Sequence, residues 1–126
     1  MILGALLLLL IGTHALAKTV TYDFDVGYVT ANPDGQFERR TIGINGKWPV
    51  PTIEVDKGDR LVINLRNSLD IDTSLHFHGL FQNGTVFMDG PSMVTQCPVA
   101  PGRSITYDFM VRAAPCNAQA RVLADP

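Results

Sequence analysis

The sequence has little that would form helices or bind polyanions. No stretch repeats apolar residues every three to four positions, so no amphipathic helix is predicted. The net charge is −2 and no basic patch appears, which disfavours nucleic acid as a partner. With 126 residues, the chain has room for one modest domain and too little for two.

Short strands are predicted in place of helices. Apolar residues alternate with polar or small ones in several runs, and Asn-Pro-Asp-Gly, Asn-Gly and Lys-Gly-Asp sequences mark turns between them. The predicted strands are 20–28, 39–44, 60–66, 75–80 and 105–111. Strands of this length, separated by turns about every ten residues, predict an all-β sandwich or barrel. Trp48 and the aromatic strand residues are expected in its core.

The first 17 residues are predicted to be a secretory signal peptide. An apolar run spans 2–12, and Ala15-Leu16-Ala17 has the small-x-small form that signal peptidase cleaves. The alternative is an uncleaved anchor, although the run is short for a membrane span. Cleavage would leave a chain that starts at Lys18 and passes through the secretory pathway to the cell surface or the medium.

Two other features of the sequence are relevant only if the chain is secreted. Asn83-Gly84-Thr85 is an acceptor sequence for N-glycosylation in that compartment. Cys97 and Cys116 are the two cysteines of the chain, and an oxidising environment would permit a disulfide. A bridge between them is one possibility, supported by their closeness in the sequence alone.

His76 and His78 form a His-x-His pair within a predicted strand. Residues two apart on a strand face the same way, so both imidazoles can point at one pocket while Phe77 faces the opposite layer. Neutral imidazole is a frequent ligand of copper and zinc. Two ligands make a poor site by themselves, and two structural or surface histidines are the alternative. Gly79 would let another backbone approach closely.

The sequence around this pair resembles the first domain of multicopper oxidases. The motifs that carry the resemblance are HFHGLFQNGT at 76–85, MDGP at 88–91, TQCP at 95–98 and APG at 100–102, with NGKWPVPTI at 45–53 and KGD at 57–59 upstream. Within the family, the chain is most similar to the fungal iron-oxidising branch. The resemblance implies a plastocyanin-like (cupredoxin) domain, a Greek-key β-sandwich or barrel, which we place at residues 18–111.

The resemblance also implies roles for individual residues. Members of the family oxidise substrates at a type 1 copper and reduce O₂ to water at a trinuclear copper cluster. By resemblance, His76 is a type 2 copper ligand and His78 a type 3 ligand. Asp89 matches an acidic residue near the cluster that assists proton delivery, although a carboxylate in Asp89-Gly90-Pro91 is also typical of a turn. Cys97 matches a cysteine that pairs with a later domain.

Substrate and partners follow from the resemblance alone. Fe(II) is the expected substrate, with phenols as the laccase-type alternative, and O₂ is the oxidant. A fungal ferroxidase also implies an iron permease as partner. Two further alternatives are a non-enzymatic secreted copper-binding module and a product that does not fold.

Residues 112–126 depart from the family pattern. They show no alternation, carry no aromatic residue, and lack the second His-x-His that the resemblance leads one to expect. We therefore expect a linker-like tail, an incomplete sandwich at its C-terminal end, and a fragment that lacks most copper ligands and is inactive alone. A truncated or mis-spliced gene would produce this pattern.

Overall fold

The structure is a computed structural model that describes residues 17–112 and 119–124. Its strands are β1 (Thr19–Ala31), β2 (Arg39–Ile44), β3 (Arg60–Asn67), β4 (Thr73–His78), β5 (Ser104–Met110) and β6 (Gln119–Ala124). A 3₁₀ turn at Val86–Met88 is the one helical element within these ranges. The predicted all-β fold is therefore confirmed. Within the same ranges, no helix has the length and apolar character needed to cross a membrane.

The strands form two sheets. The larger sheet has the order β2-β1-β3-β5, and the smaller one pairs β4 with β6. In the larger sheet β1 runs parallel to β3, with Thr19 opposite Arg60, whereas the β1–β2 and β3–β5 pairs are antiparallel. A parallel pair requires a crossover, and residues 32–59, which include β2, supply it.

The core lies between the two sheets. Along β3 every second side chain is buried, which is the period-two pattern that the sequence predicted. Phe77 of β4 meets Tyr107 and Phe109 of β5 edge-on, with ring centroids 5.2 and 4.9 Å apart. Contacts of this geometry add to the apolar burial that stabilises the sandwich. The buried apolar residues are Phe24, Val26, Ile44, Leu61, Ile63, Leu65, Leu69, Leu75, Phe77, Val99, Tyr107, Phe109 and Val111.

Two expectations from the sequence are wrong. Trp48 is 40% exposed, because Pro49 and Pro51 keep its segment in a loop outside both sheets. The tail 112–126 is not wholly linker-like, because Gln119–Ala124 forms β6 and pairs with β4, with His76 opposite Arg121. Unpaired backbone groups of β4 favour a partner strand whether or not that strand has an apolar alternation. The leader up to residue 16 and Cys116 lie outside the described residues.

Candidate metal centre

His76 and His78 lie on one face of β4, as their spacing predicted. Their ring centroids are 5.6 Å apart and the rings are nearly perpendicular, at 83°. The side chain of His76 is 18% exposed, and His78 is exposed at the end of the strand. The pair therefore offers two imidazoles at one edge of the sandwich, where a ligand can enter from solvent.

Phe77, between the two histidines, fixes the strand that carries them. It is 1% exposed and packs against Tyr107 and Phe109 in the core. Because successive side chains of a strand point to opposite faces, burial of Phe77 directs both histidines outward. Packing of the core thus determines which way the imidazoles face.

The backbone carbonyl of Asp89 holds the His76 ring. This oxygen accepts a hydrogen bond from the main-chain N–H of Phe77 at 3.1 Å and lies 2.8 Å from Nδ1 of His76. A carbonyl oxygen can only accept, so the hydrogen of this bond is on Nδ1. In the neutral ring the lone pair is then on Nε2. Metal-ligating histidines commonly have their other ring nitrogen bound in this way, which fixes both tautomer and orientation.

Gly90 allows the loop that carries Asp89 to lie directly against β4. A Cβ at this position would lie 1.8 Å from the carbonyl oxygen of Leu75, and the glycine has a φ of +97°. Both the contact and the backbone conformation exclude other residues. Gly79, which the sequence suggested for such an approach, has a φ of +83°, and that conformation is itself a reason for glycine there.

The side chain of Asn67 anchors the start of β4. Asn67 is fully buried, and its amide donates to the carbonyls of Ile71 at 2.8 Å and Val99 at 2.7 Å. Its side-chain oxygen accepts from the main-chain N–H of Leu69 at 2.9 Å. The chain segment that leads into β4 is therefore fixed to both the larger sheet and the loop before β5.

Tyr107 binds the middle of β4. Its hydroxyl accepts a hydrogen bond from the main-chain N–H of Leu75 at 3.1 Å, and the residue is fully buried. Burial raises the pKa of the Tyr107 hydroxyl, so it stays protonated at neutral pH. This bond ties the backbone directly before His76 to β5.

The carboxylate of Asp89 lies beside the same ring. Its Oδ1 is 3.7 Å from Nδ1 of His76, and the side chain is 25% exposed. At this distance the carboxylate would attract a cation bound to the ring. It is also partly open to solvent. Both the main-chain carbonyl and the carboxylate of Asp89 therefore lie at the candidate site.

Two other predicted site residues, Asn83 and Cys97, lie at the surface. Asn83 is exposed in a turn, and Cys97 is exposed and forms no disulfide with another residue that the structure describes. Within residues 17–112 and 119–124, no group of three His, Cys, Asp or Glu side chains could hold a metal ion. The described part of the chain therefore presents two strong metal ligands, His76 and His78.

Sequence reasoning missed the residues that position the site. Asn67, Gly90 and Tyr107 hold β4 and its neighbouring loop, yet each contact joins residues that are far apart in the chain. The buried position of Asn67 at the end of an alternating strand was the one available signal, since a polar residue there requires partners.

Comparison with known proteins identifies the fold and its relatives. The multicopper oxidase family profile matches residues 25–117. The iron transport multicopper oxidase fetC of Epichloe festucae is 67% identical over 98 residues, which cover 77% of this chain and 16% of that protein. Laccase-1 of Cryptococcus neoformans var. neoformans is 47% identical over 93 residues, covering 74% of this chain and 15% of that protein. The chain thus spans about a sixth of the length of the curated relatives it matches.

Solved structures give the same result. The crystal structure of Fet3p, a multicopper oxidase that functions in iron import, matches with a TM-score of 0.71 and 49% identity, covering 74% of this chain and 18% of that one. The laccase from Botrytis aclada matches with a TM-score of 0.71 and 43% identity, covering 75% and 18%. The residues matched by the family profile include the strand with the two histidines. The chain therefore belongs to the multicopper oxidase family.

Proposed function

We propose that this domain supplies His76 and His78 as copper ligands of an iron-oxidising multicopper oxidase. The observation that carries the proposal is the bond between Nδ1 of His76 and the Asp89 carbonyl, which leaves Nε2 free to bind a metal. Copper is the cofactor of the family, and imidazole is among its preferred ligands.

The residues present fit copper as part of a larger site. The two imidazoles have centroids 5.6 Å apart and nearly perpendicular planes, which is compatible with ligands of neighbouring ions. By the family resemblance, we propose His76 as a ligand of a type 2 copper and His78 as a ligand of a type 3 copper. Bound copper would supply one-electron transfer and the reduction of O₂ to water. The remaining ligands would come from groups other than the described residues, because two donors leave such ions without a full ligand set.

Exposed apolar side chains near the site support this arrangement. Phe81, Phe87 and Met93 are 64, 56 and 82% exposed in the loops that follow β4. A monomeric surface rarely exposes several large apolar residues in neighbouring loops unless another surface covers them. The same loops carry Asp89, so a covering surface would also reach the two histidines.

Fe(II) is the preferred substrate, and a phenol is the alternative. Identity is 67% to the iron transport oxidase of Epichloe festucae and 47% to the Cryptococcus laccase. Substrate choice is inferred from these relatives alone. An iron permease as partner follows by the same inference from the iron transport relatives.

Asp89 is proposed to deliver protons to the oxygen being reduced. Its carboxylate lies beside His76, is partly exposed, and is held by a loop that Gly90 fixes against β4. Breaking an O–O bond consumes protons as well as electrons, and a partly exposed carboxylate can transfer them from solvent.

We further propose secretion with removal of residues 1–17. The exposed turn at Asn83 would accept a glycan, and the exposed thiol of Cys97 is available for a disulfide. Both modifications belong to the secretory pathway. The protein would then work at the cell surface or outside the cell.

Copper analysis tests the proposal directly. The protein, purified from copper-supplied cells, is compared with His76→Gln, His78→Gln and a control, Lys47→Gln, on an exposed turn of the other sheet. We expect each histidine variant to lose at least half of the copper bound, and the control to lose none. Oxygen uptake with Fe(II) and with a phenol is measured on the same samples, and we expect none from a chain whose described residues lack most copper ligands.

Three results would count against the proposal. Unchanged copper content in both histidine variants would show that these residues are not ligands. Faster oxygen uptake with the phenol than with Fe(II) would favour the laccase alternative. Oxygen uptake by this chain alone, on either substrate, would contradict the expectation of an inactive fragment.

A further inference from the structure

Lys18, the residue directly before β1, is held at both of its backbone polar groups. Its main-chain nitrogen donates to Oδ1 of Asp59 at 3.0 Å, and its carbonyl accepts from the main-chain N–H of Arg60 at 2.9 Å. Asp59 directly precedes β3, the parallel neighbour of β1. These two bonds therefore form the first contacts of the β1–β3 pair.

The Asp59 carboxylate is buried and lacks a hydrogen bond at one oxygen. The side chain is 8% exposed, and Oδ2 is buried without a hydrogen-bond donor. The ammonium of Lys18 forms an ion pair with Oδ2 at 3.4 Å, but its hydrogen bond goes to Asp56 at 2.8 Å. A buried charge is costly unless it is paired and hydrogen-bonded, so this carboxylate has unused capacity for a donor.

We propose that Asp59 binds the α-ammonium that arises when the chain is cut between Ala17 and Lys18. This inference rests on the proposed leader and is independent of the copper site. In the cut, a water molecule adds across the peptide bond: the hydroxyl goes to the Ala17 carboxyl and a hydrogen to the Lys18 nitrogen. That nitrogen then takes up a proton at neutral pH.

The charge and the number of donors explain why the cut matters. The amide nitrogen of Lys18 has one hydrogen to donate, whereas an ammonium has three. One hydrogen of the ammonium can keep the hydrogen bond to Oδ1 of Asp59 while a second donates to Oδ2. Hydrogen bonds between opposite charges are about twice as strong as those between neutral groups. The main-chain N–H of Lys18 already lowers the pKa of the Asp59 carboxyl, which keeps the carboxylate charged.

Processing would therefore stabilise the sandwich. The ammonium fixes the start of β1 to the residue before β3, and these strands pair from Thr19 opposite Arg60 onward. A chain cut one residue earlier places the charge about 3.5 Å away, since adjacent residues are that far apart along an extended chain. Stability of the domain would then report where the leader was removed.

Thermal unfolding of differently processed chains tests this inference. The full chain is secreted, its first residue is identified by mass spectrometry, and its Tm is compared with that of a chain with one glycine inserted between Ala17 and Lys18. We expect Lys18 as the first residue of the former, and the added glycine to lower Tm by about 4 °C or more. Asp59→Asn should lower Tm and abolish the difference between the two forms. Asp56→Asn, which affects only the Lys18 side chain, should preserve that difference.

A labelling measurement covers the case in which a variant fails to fold. The unaltered processed chain is treated with an amine reagent at pH 7, and the α-amine and the side-chain amine of Lys18 are distinguished by mass spectrometry. Pairing with Asp59 should slow α-amine labelling about ten-fold relative to the unfolded chain, because a raised pKa leaves less free amine.

The outcomes separate the possibilities. A first residue other than Lys18, equal Tm values with and without the added glycine, or an α-amine labelled as fast as in the unfolded chain would each overturn the inference. None of these results depends on copper content or oxygen uptake, so the proposed oxidase function is judged separately.

Discussion

Gly90 lies so close to Leu75 that a Cβ on the glycine would be 1.8 Å from the Leu75 carbonyl oxygen. This contact brings the neighbouring Asp89 carbonyl within hydrogen-bonding distance of Phe77 and His76. The orientation of a candidate metal ligand therefore depends on a residue with no side chain. The effect of this contact on the site can be tested by substituting Gly90, which leaves His76, His78 and Asp89 unchanged.

Gly90→Ala should destabilise the domain and weaken copper binding together. The new methyl group must displace backbone, and a φ of +97° adds strain of about 1–2 kcal/mol, so we expect a total loss above about 2 kcal/mol. Gly84→Ala is the matched control, because Gly84 has a φ of +82° with open space around it. Chemical denaturation and copper titration measure both effects. Equal losses for the two variants would show that the close approach contributes nothing.

Tyr107→Phe should cost about 1–3 kcal/mol of unfolding free energy. The substitution leaves the main-chain N–H of Leu75 buried without its acceptor, and that penalty exceeds the value of an average hydrogen bond. Tyr28→Phe is the control, because the Tyr28 hydroxyl donates to Asp70 at an exposed site. There we expect a change within about 0.5 kcal/mol. Urea denaturation compares them, and a neutral Tyr107→Phe would contradict the role of this hydroxyl.

Asn67→Ala should be among the more damaging changes of a single side chain. It removes two donated bonds and one accepted bond at a fully buried position, so we expect a loss of more than about 2 kcal/mol. Asn64→Ala, on the exposed face of the same strand, also removes bonds, to Asp23 and Thr106. Water can replace those, so its cost should be well below that of Asn67→Ala in the same denaturation experiment. Similar costs would contradict this reasoning.

Asp108 should contribute to stability at neutral pH and lose that contribution in acid. Arg60 binds its carboxylate through two nitrogens and lowers its pKa below the ordinary Asp value of about 3.9. The stabilisation is therefore complete above that value and disappears as pH falls through the lower, folded-state pKa. The pair is partly exposed, so Asp108→Asn should lower Tm at pH 7 by no more than about 4 °C.

Thermal unfolding from pH 7 down to pH 2 follows this effect. The Tm difference between the unaltered chain and Asp108→Asn should shrink with acidity. Arg60→Gln should show the same pH dependence, and the double variant should be no worse than either single one. A difference that grows in acid would have the wrong sign for this ion pair.

The strands, and the direction in which the histidine side chains point, were predictable because both depend on the local amino-acid sequence. Alternation from Leu61 to Leu65 predicts a half-buried strand, and the two-residue spacing of His76 and His78 predicts a shared face. Burial of Phe77 between them follows from the same rule. These features need no knowledge of which distant segments meet.

The environment of the histidines could not be predicted in that way. The Asp89 carbonyl contacts His76 although the two residues are thirteen positions apart in the chain, and every residue has a carbonyl, so no side-chain pattern marks it. Trp48 was misplaced because aromatic residues are usually buried, whereas the prolines around it prevent strand pairing. β6 was missed because its pairing is determined by the backbone of β4 and not by its own apolar pattern.

The parallel pairing of β1 with β3 has a consequence for how the chain acquires its shape during synthesis. Thr19 is made first but its partner is Arg60, and β3 in turn pairs with β5, so the larger sheet depends on contacts across long stretches of sequence. Such contacts make folding slow, on a scale of milliseconds to seconds. The first strand therefore cannot pair with β3 until Arg60 and the residues after it have been synthesised.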